Sequence, residues 1–368
     1  MCVAVCSAAS PASSWLNEML MGDLDRLDPD LRAAFAALVG HDFSNIAKAR
    51  EVALARRAGW ARSDDRPMPP VTISELTVPS AVHRPPISVR RVAPHHPSDT
   101  ALIWIHGGGH VMGMANQDDA FLSQVVDSVR CTAFSVEVRL APEFPYPAAL
   151  EDAMATLAWV RENARALGVR ADLVAVGGVS AGGGIAAGLT LRARDERVPL
   201  PCFQLLVCPM LDDRSHESPV GFNLSGTGAW SPESNRYAWS EYLRDAGEEV
   251  PIYAAPGRAA SLAGVSESAI FVGDLDLFRD EAIAYGRHLL LAGIPTDVRV
   301  YRGAFHGFNN VAPTAPISMR FNRDICETLE GAFVRARAEQ TRVTGGRAQP
   351  SEALETGDHA LSSYVGHQ

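Results

Sequence analysis

Short apolar runs punctuate this chain at regular intervals: Ala101 to Ile105, Phe134 to Val138, Leu173 to Val176, Phe203 to Val207 and Ala269 to Gly273. Near-continuous runs of this length are the pattern of strands buried on both faces of a parallel sheet. Asp297 to Tyr301 reads as a further strand, and Gly183 to Arg194 as one of the helices between them. Val71 to Val78 and Ile87 to Val92, joined by a Pro-rich turn, predict an antiparallel hairpin that opens the body. Ahead of it, Asp28 caps a helix that has Pro29 in its first turn. Leu31, Phe35 and Leu38 form one apolar face before Gly40, and a second helix is predicted from about Ser44 to Gly59. Strands alternating with helices give an α/β fold with a mostly parallel sheet, and ligands are expected at the carboxyl ends of its strands.

Two segments break this rhythm. Asp212 to Pro256 carries Phe222, Trp230, Tyr237, Trp239 and Tyr242 where a short connection would suffice, so an insertion is expected there. From about Glu339 to Gln368 the chain turns polar and Gly-rich with no apolar period, and residues 339–368 are expected to be a disordered tail.

The chemistry sits at the ends of the apolar runs. Gly178-Val179-Ser180-Ala181-Gly182 fits G-x-S-x-G, in which a serine occupies a sharp strand-to-helix turn and small residues on either side let backbones pass closely. The pattern is short enough to arise by chance, but strand before and helix after are what a nucleophile elbow requires. A serine hydroxyl needs an imidazole to take its proton. Of the eleven histidines, His306 follows the strand-like run ending at Tyr301, where a base should hang. His83, His95, His96, His216, His359 and His367 lie in polar or Pro-rich segments, and His288 lies in mid-helix; each reads as a surface or packing residue. An acid leaving the run that ends at Gly273 can orient the imidazole, and Asp274 and Asp276 are both candidates. Asp280 and Glu281 open the next helix, where acids favour the positive end of the dipole.

Taken together, His106-Gly107-Gly108-Gly109, Arg139-Leu-Ala-Pro-Glu143 with Asp152, Gly178 to Gly183, Asp276 to Glu281 and His306-Gly-Phe308 resemble the hormone-sensitive-lipase-like branch of the α/β-hydrolases. That branch contains bacterial carboxylesterases and arylacetamide deacetylase. The resemblance implies an α/β-hydrolase fold with an eight-stranded sheet flanked by helices. It also implies a helical cap built from residues 1–65 and from the insertion at about 212–256, over a catalytic body spanning 66–338. Aligning Arg279-Asp280-Glu281 with the family's acidic pair selects Asp276 over Asp274 as the triad acid. The amides of Gly107, Gly108 and Ala181 are expected to form the oxyanion hole, with His106, Gly178 and Gly182 in support. Val179 stands where the family commonly has aspartate, and His110 where it has an aromatic or apolar residue. These two and Trp230 are the candidate pocket residues, with packing the plainer reading of His110. Val138 replaces a common tyrosine, a change read as packing. The activity implied is hydrolysis of short- to medium-chain carboxylic esters through an acyl-enzyme; amides or lactones use the same machinery.

Composition narrows the alternatives. With 33 basic and 43 acidic residues the net charge is -10, which argues against a nucleic-acid surface. Lys48 is the only lysine and falls in a predicted amphipathic helix, which removes Schiff-base and P-loop chemistry. The cysteines at 2, 6, 131, 202, 208 and 326 lack metal-ligand spacing. Cys202 and Cys208 share one strand-like segment and stand ~20 Å apart at ~3.3 Å per residue, too far to bridge. No run reaches the ~20 apolar residues of a membrane span, and residues 1–16 lack the basic and apolar parts of a signal peptide. The expectation is a cytoplasmic protein with no membrane anchor, no metal, no organic cofactor and a small-molecule ester as its partner; an edge strand or cap surface leaves room for a homodimer. Two rivals remain. Gly182-Gly-Gly184-Ile-Ala-Ala187 also fits a dinucleotide fingerprint, with Asp212 as ribose ligand, although three residues separate the strand from the first glycine. A non-catalytic ligand-binding homologue is the other, and the retained His306 counts against it.

Overall fold

A computed structural model describes residues 25–38, 40, 42–63, 68–80, 85–215 and 230–345. Eight strands form one sheet in the order β1-β2-β4-β3-β5-β6-β7-β8. They are β1 (Val71–Val78), β2 (Ile87–Pro94), β3 (Ala101–Ile105), β4 (Thr132–Val136), β5 (Val174–Val179), β6 (Gln204–Val207), β7 (Ser268–Gly273) and β8 (Thr296–Tyr301). Only β2 runs against the others: it pairs antiparallel with both β1 and β4, while every pair from β4 to β8 is parallel. Every residue of β3, β4, β6 and β7 is buried, which is why those runs carry few polar residues, whereas the edge strands β1 and β8 alternate in exposure. Each fully buried Ile, Leu, Val or Phe in this core contributes about 1.5–3 kcal/mol.

The longer helices among the described residues are α1 (Ile46–Ser63), α2 (Asp119–Val129), α3 (Ala148–Glu162), α4 (Ala181–Asp195), α5 (Pro232–Tyr242), α6 (Arg279–Leu291) and α7 (Pro316–Gly345). α2 packs on α7, and α3 packs on α4. Asn45 opens α1, its side-chain oxygen accepting from Lys48 N at 3.0 Å. Lys48 does lie in this helix, exposed, while the inward positions are Ile46, Ala49, Arg50 and Ala53. Asp28 caps a short turn as expected, its Oδ1 accepting from Asp30 N, and that turn leads into a helical stretch, Arg32–Ala36.

One boundary differs from the sequence expectation. Residues 339–345 are the last turns of α7 and not part of a disordered tail. The missing apolar period there signals that the helix has left the core, not that it has ended: Arg337 pairs with Asp99, and Thr341 Oγ1 donates to Arg337 O at 3.0 Å. Residues 346–368, like 1–24 and 216–229 of the N-terminal segment and the insertion, lie outside the described residues. Among the described residues no helix is long and apolar enough to cross a membrane.

Candidate active site

The parallel strands deliver their carboxyl ends to one edge of the sheet, so the residues that follow them meet. His106 follows β3, Ser180 follows β5, Cys208 follows β6, Asp276 comes just after β7 and His306 just after β8. Ser180 stands at φ 58, ψ -122, between the last residue of β5 and the first of α4. That backbone costs about 1–3 kcal/mol for a residue with a side chain. Three hydrogen bonds hold it: Ser180 N donates to Val207 O at 2.8 Å, and Ser180 O accepts from Gly184 N at 3.1 Å and Met210 N at 3.0 Å. The flanking glycines are required by space. A Cβ on Gly182 would lie 2.0 Å from Ile105 O, and one on Gly178 would lie 2.4 Å from the backbone of Gly182.

The same packing explains the dinucleotide-like glycines. Gly182, Gly183 and Gly184 lie inside α4, not in a loop ahead of it, and a Cβ on Gly184 would meet Met210 O at 2.1 Å. Asp212 is bound to Arg214 at 2.6 Å.

His306 Nε2 lies 3.1 Å from Ser180 Oγ, and its Nδ1 lies 2.9 Å from Asp276 Oδ2. Asp276 Oδ1 accepts from Phe278 N at 2.9 Å, so each carboxylate oxygen has a partner. Asp274 is occupied elsewhere: its Oδ1 accepts from Gly303 N at 2.6 Å, fixing the turn after β8. Phe278 stands edge-on to the imidazole at 5.1 Å. Burial opposes a charge on His306, but the fields and hydrogen bonds of Asp276 and the neighbouring Cys208 outweigh it and hold the imidazole pKa well above its usual 6.5. The loop that carries His306 is clamped from the N-terminal segment, with Asp28 N donating to Gly303 O at 3.0 Å and Phe35 edge-on to Phe305 at 5.1 Å.

The glycine loop after β3 runs against Ser180: a Cβ on Gly107 would lie 3.2 Å from Ser180 Cβ. His106 Nδ1 donates to Gly107 O at 2.9 Å, and Gln117 Nε2 donates to the same oxygen at 3.2 Å. Gly108 takes φ +130, and its carbonyl accepts from Val111 N and Met112 N. Ala181 heads α4, so its N–H belongs to the donors a helix leaves unsatisfied at its positive end. A Cβ on Gly108 would meet Met112 O at 2.0 Å, so this position too is closed to side chains.

Of the pocket candidates, Val179 is half-buried at the end of β5. Trp230 is buried against Gly109, where a Cβ would meet its ring at 2.2 Å. His110 is buried at φ 63 and stacks on Tyr242 with ring centroids 3.7 Å apart.

Four residues that sequence reasoning did not single out for the site converge on it. Arg50 of α1 donates through Nε to Val111 O at 2.8 Å and through Nη2 to Ala141 O at 2.9 Å, bracing the end of the glycine loop. Gln117 braces its start. Glu281, read only as a helix-opening acid, does open α6, and its Oε1 also accepts from Leu211 N at 2.6 Å. Cys208, read only as one of a strand's two cysteines, is buried beside His306 and Asp276. Arg50 and Gln117 had no local sequence signal, whereas Cys208 could have been found from its place after a central strand.

The α/β-hydrolase-fold family profile matches residues 102–310. Esterase LipI of Mycobacterium tuberculosis is 36% identical over 267 residues, which cover 69% of this chain and 82% of LipI. Carboxylic ester hydrolase LipN of the same organism is 31% identical over 299 residues, 78% of each chain. Among solved structures, a bacterial heroin esterase superposes with a TM-score of 0.77 at 34% identity, covering 84% of this chain and 99% of its own.

Proposed function

Because this chain belongs to the hormone-sensitive-lipase-like carboxylesterase family of α/β-hydrolases and is a carboxylic ester hydrolase, we propose that Ser180, His306 and Asp276 are its catalytic triad. The observation that carries this reading is the unbroken chain of contacts from Ser180 Oγ through the imidazole to Asp276, at 3.1 and 2.9 Å. Ser180 Oγ attacks the ester carbonyl as His306 Nε2 takes its proton, and Asp276 holds the imidazolium through Nδ1. The carbonyl oxygen becomes an oxyanion, which the N–H groups of Gly107, Gly108 and Ala181 receive; such preorganised donors are each worth roughly 2.7–4 kcal/mol. Collapse breaks the C–O bond, the alcohol leaves with the proton from Nε2, and water activated by the same nitrogen cleaves the acyl-enzyme.

The N-terminal helices and the segment around α5 act as the cap over this site. The stacking of Phe43 on Tyr237 at 4.7 Å and its edge contact with Trp230 at 6.1 Å support a joint lid. Short- to medium-chain acyl groups are the substrates this family resemblance favours. Hydrolysis of p-nitrophenyl esters from acetate to decanoate, by wild type beside Ser180→Ala, tests the reading. Wild type should turn over the shorter esters, and the variant should lose about a million-fold in kcat, as removal of a triad serine does. Equal rates in the two proteins would remove Ser180 from the role, and a wild type inert on every ester would turn the search to amides and lactones.

A further inference from the structure

β6 lies between β5 and β7 in the sheet, so the residue that follows β6 emerges between the strand of the nucleophile and the strand of the acid. That residue is Cys208. Its N–H donates to Phe271 O at 2.6 Å, its backbone takes φ 36, and it is 5% exposed, so its position is fixed. The Cys208 sulfur, a carboxylate oxygen of Asp276 and a ring nitrogen of His306 all lie within 4.8 Å of one another. The hydrolytic steps above make no use of the thiol.

We propose that Cys208, Asp276 and His306 form an inhibitory site for a soft divalent cation of the zinc or cadmium type. A thiolate, an imidazole and a carboxylate are the donor set such ions take, and three protein ligands leave the fourth position to water. Ligand atoms sharing a tetrahedral zinc at 2.0–2.3 Å stand about 3.3–3.6 Å apart. The present atoms therefore need to close by up to about 1.5 Å, within the reach of side-chain rotation.

Charge balance favours the occupied state, although the thiol must first lose its proton. Burial raises the pKa of the Cys208 thiol above its ordinary 9.0, against the opposing pull of His306, so the resting group is a neutral S–H beside the imidazole. An arriving dication breaks that S–H bond and forms S–M, and the proton goes to solvent. His306 contributes a ring-nitrogen lone pair, any proton held there going to solvent as well, and no oxidation occurs. The thiolate and the Asp276 carboxylate then cancel the two positive charges, so the buried site carries no net charge. Access is past His306, whose side chain retains 12% exposure. Hard cations are excluded because magnesium and calcium demand six or more oxygen ligands.

Inhibition follows because the cation takes a donor atom that the Ser180–His306–Asp276 relay needs, and that consequence alone rests on the triad reading. Cadmium titration separates the two, since the near-ultraviolet charge-transfer band of a cadmium thiolate reports binding without any turnover. Wild type should develop the band with one equivalent of Cd2+ and lose p-nitrophenyl acetate hydrolysis in parallel. Both should reverse with a chelator, and Mg2+ should do nothing. Cys208→Ala should keep hydrolysis within a few-fold of wild type, lose the first-equivalent band and need at least about tenfold more metal for half-inhibition. His306→Ala, which keeps the thiol, should bind Cd2+ at least about tenfold more weakly. The proposal is overturned if wild type shows no first-equivalent band, if Cys208→Ala is inhibited at the wild-type concentration, or if His306→Ala binds Cd2+ as tightly as wild type. A band without loss of hydrolysis would uphold the metal site and count against the triad.

Discussion

The guanidinium of Arg50 holds both carboxylate oxygens of Glu143, at 2.8 and 2.7 Å, across 93 residues of chain. The same side chain donates to the carbonyls of Val111 and Ala141, so one residue of an N-terminal helix joins the glycine loop to the Arg139-Leu-Ala-Pro-Glu143 segment. The ion pair itself is exposed on the Glu143 side and contributes little, of order 0–1 kcal/mol. Its consequence is placement. Arg50→Ala is therefore expected to lower kcat/KM by about tenfold to a hundredfold while moving the melting temperature only a few degrees, and Arg50→Lys should not rescue it, because one ammonium cannot serve three acceptors in a plane. Parallel kinetics and thermal melts check this; a lowered melting temperature with unchanged kcat/KM would make Arg50 a stability residue only.

A pH profile separates Asp276 from Asp274. A general base works deprotonated, so under the proposed triad activity falls as pH drops through the His306 pKa, and with that value held above 6.5 the acid limb of wild type should lie above an ordinary histidine's. Asp276→Asn removes the larger raising field and leaves the burial that lowers the pKa. The limb should then move to lower pH, along with a loss of about ten-thousandfold in kcat. Asp274→Asn should leave the limb where it is, since Asp274 bonds Gly303 and not the imidazole. A limb that does not move in Asp276→Asn sinks the assignment.

Glu281 offers a test of a buried carboxyl that sequence pattern could not reveal. Burial pushes its pKa well above 4.5, against the opposing hydrogen bond from Leu211 N. Glu281→Ala leaves that N–H without its acceptor and should cost about 1–3 kcal/mol. Glu281→Gln keeps the acceptor oxygen and carries no charge. Because the folded pKa is the higher one, the wild-type carboxyl costs stability as pH rises above 4.5, so Gln should gain on Glu between pH 4 and pH 7. Denaturant melts at the two pH values decide it, and a Gln variant that loses ground as pH rises contradicts the burial argument.

The sheet and the elbow were legible because their causes are local. β3 and β7 must be apolar on both faces, and Gly178 and Gly182 must lack side chains where backbones cross. Choosing between Asp274 and Asp276 was beyond the residues themselves, since both leave the same strand and only the family pattern distinguished them. Arg50, Gln117 and Glu281 act through contacts distant in sequence, with Glu281 meeting Leu211 across 70 residues, and no periodicity encodes such a meeting. The turns at 339–345 were missed for a related reason: a helix that has left the core loses its apolar period while its backbone bonds continue.

His110 distinguishes packing from substrate contact. Both ring nitrogens are buried without a hydrogen-bond partner among the described residues, and burial pushes the imidazole pKa down to about 3. The ring stacks on Tyr242 at 3.7 Å, an interaction a phenyl group can reproduce. His110→Phe therefore removes unpaired polar atoms and keeps the stack; φ 63 is retained in both proteins, so backbone strain changes little. A stabilisation of up to about 1 kcal/mol at pH 7 is expected. The pH dependence is sharper evidence. Between 6.5 and about 3 the unfolded chain binds a proton at His110 that the folded protein refuses, so wild-type stability falls as pH drops through this window. The variant should lose less stability across the same range, measured by urea melts at pH 7 and pH 4.5. If His110 only packs, kcat and KM for p-nitrophenyl acetate should stay within a few-fold of wild type. A rise in KM with an unchanged melting temperature would instead place the imidazole against the substrate.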